Sequence, residues 1–558
     1  MTFLNPSSRY ALGDMDYRLY VGTPDPFAEL SKDPDAELQY LVELYPFSET
    51  SQRHLNIINL FPSALPLGDH VLNYSGGEIK ERLSDKGFTS KLTDSDPDRN
   101  WLGRVNNPLQ FDTSIFSGGT FGNSSQSYGG IEIINPDGEL DRFFDYHWSG
   151  RNVQVKVGGM DFSYDSFSTV LNGTVSAIEG DDTRILLTLR DNRARTDKPI
   201  VAPVYPGTGG LDGDPALEGV SKPLAYGVAR NIPPTLINYA NQIYQVHDGS
   251  VLSVDAVYDK GIALISSGDV PNIMTATVAE GHYVTQLSGG YIRLGSTPAG
   301  QITANVHGDN AGGFAAALTD IILRILKNRL GIYNLTSNDI DEGSFARVKM
   351  IVPGAAGLFI SGDATGSSIM DALLNPLSAY WSFTRSGLLF AGMAQEPGMA
   401  QEDISHIDIS GLRLQDIIPP TWKITVGYAP SVTVQSENDL AGGVTSDVQA
   451  FVTEAFRYVS YENQTTRLKN AQATELTFET ALSEKADAQA LLNKLAAVYG
   501  QKRTVFQVPV YKSIYRYFLG DVLTLKYNRY GLDSGKVFMV AGVSDNAQTG
   551  QTVLTLWG

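Results

Sequence analysis

"NGTVSAIEGDDTRILLTLRDN" (Asn172–Asn192) and "GKVFMVAGVSDNAQTGQTVLTLWG" (Gly535–Gly558) share one shape. Each is a strand, a polar hairpin and an apolar strand that ends its module. In the first, Glu179 to Arg184 turns the chain; in the second, Asp545 to Gly550 does. The strands around each echo have the same texture. "GGIEIIN" (129–135), "RNVQVKVGG" (151–159) and "STVLNGTVSAIEG" (168–180) alternate or run apolar between turn residues. So do "RTVFQVPV" (503–510) and "GDVLTLKYNRY" (520–530). Two related small antiparallel β-barrels, far apart in the chain and flanking an α/β insert, account for the echo.

The 558 residues exceed what one core serves and suggest roughly three to five domains. Residues 1–125 read as a loop-rich N-terminal region. Its short β-like runs are "QYLVELYPF" (39–47) and "RHLNIINLFP" (53–62). Residues 126–200 form the first barrel, and 201–305, rich in Pro and Gly, a β-rich insertion. Residues 306–400 form an α/β domain, and 401–558 the second barrel with a helix before it. The fold class is mainly β with an α/β insert.

Three helices stand out. "GFAAALTDIILRILKNRLG" (313–331) places Phe314, Leu318, Ile321, Ile322 and Ile325 on one face, with Gly331 as its C-cap. "SSIMDALLNPLSAY" (367–380) takes Ser367 or Ser368 as N-cap and is kinked or ended by Pro376. It runs into a hairpin, "YWSFTRSGLLFAGM", that turns at Arg385-Ser386-Gly387. "SEKADAQALLNKLAAVYG" (483–500) has Leu491, Leu492, Leu495 and Val498 on one side, with Ser483 to cap it and Gly500 to close it.

Composition excludes several classes of function. At 42% hydrophobic and 18% charged residues the chain is globular. No apolar run of about 18 residues is present, so no membrane span is expected. The start, "MTFLNPSSRYALGDMDYRLY", does not read as a signal peptide. With no cysteine there are no disulfides, thiolate zinc sites, iron–sulfur ligands or cysteine nucleophiles. The net charge of −19 opposes nucleic-acid binding, which needs Lys and Arg to neutralise phosphates.

No residue is assigned a catalytic, cofactor-binding or metal-binding role. The seven histidines (His54, His70, His147, His247, His282, His307 and His406) show no metal-helix spacing and lie near no nucleophile elbow. "GTGGLDGDP" (207–215) is Gly-rich but lacks the Lys-Ser/Thr of a phosphate loop. Asn135, Asp137, Glu139 and Asp141 fall on alternate positions, like the start of a calcium loop. However, Gly138 stands fourth rather than sixth, and no bidentate Glu closes the count at twelve. Asn135-Pro136-Asp137-Gly138 reads instead as a turn, with Leu140, Phe143 and Phe144 covering a core behind it.

Three stretches resemble a known family. They are "TVLNGTVSAIEGDDTRILLTLRDNRARTDKPI" (169–200), "LTDIILRILKNRLGI" with "GLFISGDATGSSIMDALLNPLSAYWSFTRSGLLF" (318–390), and "LGDVLTLKYNRYGLDSGKVFMVAGVSDNAQTGQTVLTLWG" (519–558). Together, and in this order, they resemble bacteriophage tail proteins, in particular the baseplate or tail-tip hub of siphophages and gene transfer agents. The resemblance implies a homotrimeric ring that joins the hexameric tail tube to the threefold tip and forms part of the DNA exit channel. It implies distal tail or tail tube proteins, a tape measure protein and tail-tip or fibre proteins as partners. It further implies location in the virion tail tip after synthesis in the host bacterial cytoplasm, with no enzymatic activity and no cofactor. Some relatives carry a cysteine-ligated iron–sulfur cluster, which this chain lacks the ligands to hold. The alternative is a receptor-binding or distal tail component whose 1–125 or 201–305 region contacts the host surface. A third reading is a tail-associated cell-wall hydrolase.

Overall fold

The computed structural model describes Phe27, Leu30 and residues 36–49, 77–190, 192–511 and 514–558. The run at 53–62, the first 20 residues, His54 and His70 lie outside the described residues. The fold is mainly β, with 42% strand and 18% helix.

The first sheet, of nine strands, contains β1 (Leu38–Leu44), β2 (Val105–Asn107), β5 (Gly130–Ile134), β6 (Asn152–Gly159), β7 (Ser168–Gly180) and β8 (Arg184–Arg190). Between β2 and β5 the chain leaves this sheet as a hairpin, β3 (Gln110–Ser117) and β4 (Thr120–Tyr128). These strands take the order β1-β6-β7-β8-β5-β2, each pair antiparallel; beyond β1 the sheet continues with Glu81–Ser84, Asn100–Gly103 and Phe88–Thr89, the first two of these parallel. Period-two alternation sets its inner face: Val153, Val155 and Val157 of β6 and Ile185 and Leu187 of β8 are fully buried in one cluster. Among the described strands before residue 126, Glu81–Ser84, Phe88–Thr89 and Asn100–Gly103 also belong to this sheet. β1 and β2 pair within this sheet, and β3 pairs elsewhere. Propensity sees the turns of such a stretch but not the distant strands that complete its ladders.

A charged cluster lies at β1. Glu43, 1% exposed, accepts from Tyr164 Oη (2.8 Å) and faces Lys80 Nζ at 3.0 Å. Lys80 also reaches Asp96 (3.1 Å), which Arg82 contacts at 2.8 Å. Burial works to raise the Asp96 carboxyl, but Arg82 and Lys80 outweigh it and hold it down to about 2. A carboxyl depressed by folding stabilises the fold above its ordinary value of 3.8. That contribution is lost as pH falls through the folded value. The melting temperature is therefore expected to fall between pH about 4 and about 2, and more steeply in the wild type than in Asp96→Asn. Equal slopes, measured by circular dichroism, contradict the assignment.

The insertion folds as β9 (Leu224–Ile232), β10 (Val251–Asp259) and β11 (Ile302–Asp309), in the order β10-β11-β9. A second small sheet covers it. The free side of β9 takes up β12 (Gly357–Ile360), so the insertion shares a sheet with the α/β segment.

That segment contains α1 (Leu318–Asn328), α2 (Glu342–Ile351), α3 (Gly366–Leu374) and the hairpin β13 (Ala379–Phe383) and β14 (Leu389–Met393). In α1, Leu318, Ile321, Ile322 and Ile325 are buried as their spacing predicts, each contributing roughly 1.5–3 kcal/mol. Phe314 precedes the helix. Its C-cap is Arg329, not Gly331, which starts a short 3-10 turn at φ +61°. The N-cap of α3 is Thr365 rather than Ser367 or Ser368. Its hydroxyl accepts from Ser368 N–H while Ser368 Oγ accepts from Thr365 N–H, a reciprocal pair that favours the earlier hydroxyl. Asn375–Leu377, with Pro376, ends the helix as a 3-10 turn. Composition did not suggest α2, where only Ser344, Phe345 and Val348 are buried.

The last part begins with a short strand, Glu402–Ser405, followed by β15 (Arg413–Ile418). The chain then leaves for a three-stranded sheet of β16 (Lys423–Tyr428), β17 (Arg457–Glu462) and β18 (Glu475–Glu479), with β16 central, and for α4 (Lys485–Tyr499). Glu484, not Ser483, caps α4, and Gly500 closes it. The chain returns as β19 (Arg503–Val510), β20 (Val522–Lys526), β21 (Lys536–Asn546) and β22 (Gln551–Trp557). Their order is β20-β21-β22-β19-β15, with Glu402–Ser405 parallel to β20 on its outer side.

Candidate functional site

The two terminal sheets share a run of five strands in the same order; beyond it they differ, β1 lying antiparallel to β6 where Glu402–Ser405 lies parallel to β20. Read along the chain, β2, β5, β6, β7 and β8 take the spatial order β6-β7-β8-β5-β2, while β15, β19, β20, β21 and β22 take β20-β21-β22-β19-β15. Each pair within these series is antiparallel. The match extends to a defect. In the β7–β8 hairpin the register slips between Val175 and Ala177, after the pairs Thr174–Arg190 and Val175–Leu189. In the β21–β22 hairpin it slips between Val540 and Gly542, after Met539–Trp557 and Val540–Leu556. A bulge bends its strand and re-aims the residues beyond it, so the same bulge in the same place bends both hairpins alike. Both units also leave their sheet at the same point, after the first strand of the series.

The two units meet at one turn. Thr384 to Leu388, between β13 and β14, is the hairpin turn predicted at Arg385-Ser386-Gly387. Its backbone holds the first unit: Asn172 N–H on β7 donates to the Arg385 carbonyl at 3.0 Å. Gly387, at φ +90°, lies against the Asn172 carbonyl, where a Cβ would come within 3.2 Å of the oxygen. The Arg385 side chain holds the second unit. Its Nη1 donates to Asp545 Oδ2 on β21 at 2.8 Å and its Nη2 to the Tyr515 carbonyl at 2.5 Å. The guanidinium also lies 4.3 Å from the centre of the Phe518 ring.

Asp545 is fully buried and Arg385 is 7% exposed. The carboxylate accepts further bonds from Thr552 Oγ1 (2.6 Å) and Tyr515 N–H (3.3 Å). Burial pushes its proton affinity up, while Arg385 and these donors pull the other way. Tyr515 has φ +70°, an unfavourable conformation for a bulky residue. Its N–H on Asp545 and its carbonyl on Arg385 hold it there.

A strand also crosses between the units. β3 leaves the first unit and pairs antiparallel with β21 of the second, Gln110 opposite Asn546 through Ser114 opposite Gly542. Sequence reading missed this pairing and the Arg385–Asp545 bond.

The other singled-out residues serve local structure. In the acidic turn, Arg104 donates to both oxygens of Asp137 (2.7 and 2.6 Å) and to Glu139 (2.7 Å). Asn135 takes up Leu140 N–H and donates to Asp141. At 207–215 the Gly207 and Gly209 amides donate to the Asp212 and Gly213 carbonyls, closing the loop on itself. His247 is buried. Its Nδ1 accepts from Ala225 N–H, and its Nε2 faces Asp309 at 3.4 Å, tying the insertion's strands together. His147 faces Glu49, and His282 faces Ser267. Ser253, Asp255 and His307 meet on β10 and β11, but hydroxyl (3.2 Å) and carboxylate (2.8 Å) both address Nδ1. A nucleophile relay needs them on opposite ring nitrogens. Among the described residues no group of three or more His, Asp or Glu side chains could hold a metal ion.

No family model and no curated protein matches the chain. Solved structures it is similar to include phage tail and virion proteins. The tail protein from Neisseria meningitidis MC58 is 12% identical, with 82% of this chain and 96% of that one covered, at a TM-score of 0.32. The 43 kDa tail protein of prophage MuSo2 from Shewanella oneidensis is 9% identical over 82% and 93%, at 0.32. A chain of the native gene transfer agent virion is 16% identical over 61% and 84%, at 0.34.

Proposed function

We propose that the chain is the structural hub of a phage tail tip, three copies of which close a ring beneath a hexameric tail tube. The observation that carries this reading is the repeated unit: one strand order and one bulge position at both ends of a single chain. Three copies of a two-unit chain present six similar modules. That is the simplest way for a threefold tip to meet a sixfold tube, and closed rings are the usual form of identical head-to-tail contacts. The two units are the two small barrels of the hub type, and the segment from α1 to β14 is the α/β domain that spaces them. The three stretches that resemble hub proteins fall on β7–β8, on α1 to β14, and on β20–β22.

Tube or distal tail proteins lie above the ring, with tip or fibre proteins below and the tape measure protein inside. The ring forms part of the DNA exit channel and carries out no covalent chemistry. At −19 per copy the wall repels phosphates, which therefore cannot form the counterion-releasing contacts that make binding tight. Salt screens beyond about 10 Å at 0.1 M, but a duplex filling the bore lies inside that range.

Cryo-electron microscopy of the assembled particle tests this. The expected result is a threefold ring of six modules whose lumen carries more Asp and Glu than Lys and Arg, with no duplex binding by gel shift at physiological salt. A monomeric or peripheral position, a basic lumen, or duplex binding tighter than about micromolar, the non-specific range, overturns it.

A further inference from the structure

We infer that residues 177–180 of β7 are a strand-docking edge, filled in the assembled ring by a strand from a second copy of this chain. Counting from the shared bulge, Ala177, Ile178, Glu179, Gly180 and Asp181 correspond to Gly542, Val543, Ser544, Asp545 and Asn546. In the second unit that strip is covered on one side by β22 and on the other by β3, which comes from the first unit. In the first unit one side is covered by β8 and the other, among the described residues, is unpaired. β6 stops pairing with β7 at Thr174, the last contact being Val175 with Gly150 and Arg151. Among the described residues no strand pairs with 177–180 on that side.

The open edge presents usable backbone groups. Asp181 N–H donates to the Arg184 carbonyl, so Asp181 faces β8. Antiparallel alternation then turns the N–H and C=O of Gly180 and Ile178 away from β8. Ala177, Glu179 and Gly180 are exposed. An unpaired row of this kind is a template for another strand.

The repeat also identifies the occupant. The segment that leaves the first unit after β2 fills the strip of the second unit. The segment that leaves the second unit at the same point, after β15, is residues 419–502. It makes no strand pairing with 177–180 of its own chain. Applying the same step again requires the first unit of another copy. Such a contact is heterologous and head-to-tail, the kind that closes a ring. Of the two outer strands in 419–502, β18 is flanked by Glu475 and Glu479, which would face Glu179 and Asp181. β17 carries Arg457 as well as Glu462 and has no net charge, and is therefore the strand that docks.

This inference deepens the ring reading and rests on it. Hydrogen exchange read by mass spectrometry compares the monomeric chain with the chain assembled in the tail. Exchange of the Ile178 and Gly180 amides is expected to slow on assembly, together with that of β17. Ile178→Pro removes the outward N–H without touching the β8 ladder and is expected to abolish assembly, whereas Ile178→Ala, which loses the same contact with the core and keeps the N–H, is expected to assemble. A ring that forms with exchange at 178 and 180 unchanged, or that forms normally from Ile178→Pro, overturns the edge pairing alone. Protection already complete in the monomer also overturns it, since the strand would then come from the same chain. Absence of any ring overturns both readings.

Discussion

Asp545→Ala is expected to lower stability by about 3–5 kcal/mol, the cost of leaving one member of a buried ion pair alone. Arg385 would keep its charge in a site 7% exposed and retain only backbone carbonyls and aromatic faces. Thr552 Oγ1 and Tyr515 N–H would lose their acceptor. Tyr515 would then have less to hold it at φ +70°. The double replacement Arg385→Met with Asp545→Leu removes both charges and keeps most of the volume. It is expected to be less damaging than either single change, since apolar substitutes for buried pairs are often neutral. Urea midpoints decide this. A loss below about 1 kcal/mol for Asp545→Ala, the range of exposed pairs, places the bond in solvent. A double variant worse than both singles means that the turn at 384–388 needs the guanidinium itself, through its bonds to the 515 and 517 carbonyls.

That junction was not legible in the sequence, and the reason is physical. Arg385 stands in a turn beside Ser386 and Gly387, where an arginine is ordinarily solvated. Asp545 opens "DNAQTG", where a carboxylate is ordinary turn chemistry. Each residue has a complete local explanation, and their bond spans 160 positions. The same holds for β3. "QFDTSIFS" alternates well enough to be a strand, but its partner on β21 is set by the meeting of two units, not by any property of the run. In each repeat, by contrast, two of the four pairings join chain neighbours, β6–β7 and β7–β8 in one and β20–β21 and β21–β22 in the other. Period-two alternation and intervening turns therefore sufficed to find them, down to the hairpin echo that opened the argument. The helix α1 was legible for the same reason, its apolar face being local. The helix α2 offered only Phe345 and Val348 to a core. Its one clear signal was the cap Asp341, which accepts from Ser344 N–H. The docking edge was legible only by comparison. Residues 177–180 look like the end of an ordinary hairpin until the second unit shows what covers the same strip.

Trp381→Ala is expected to cost about 3–5 kcal/mol as well, by cavity formation rather than charge. Trp381, at the centre of β13, has no exposed surface and joins three elements. Its indole N–H donates to Asp371 on α3 at 2.7 Å, and its carbonyl accepts from Ser124 Oγ on β4. The Arg193 guanidinium lies 4.3 Å from its ring centre. Alanine removes the ring and leaves Asp371 without that donor and Arg193 without the aromatic face. Trp381→Phe restores most of the volume and loses the indole N–H, so it separates the two causes. A cost of about 1–3 kcal/mol for phenylalanine, that of an unsatisfied partner, leaves packing as the larger part in alanine. Nearly equal costs make the hydrogen bond dominant. The damage is expected to spread in one direction. β4 rests on β13, and its hairpin partner β3 supplies the strand that covers β21. Amide exchange at Asp112 and Thr113 should therefore rise in Trp381→Ala while the amides of β8, which pair only within the first sheet, stay protected. Faster exchange at β8 and not at β3 would show that Trp381 supports the first sheet by itself. β13 would then not be the support on which the strand between the two units depends.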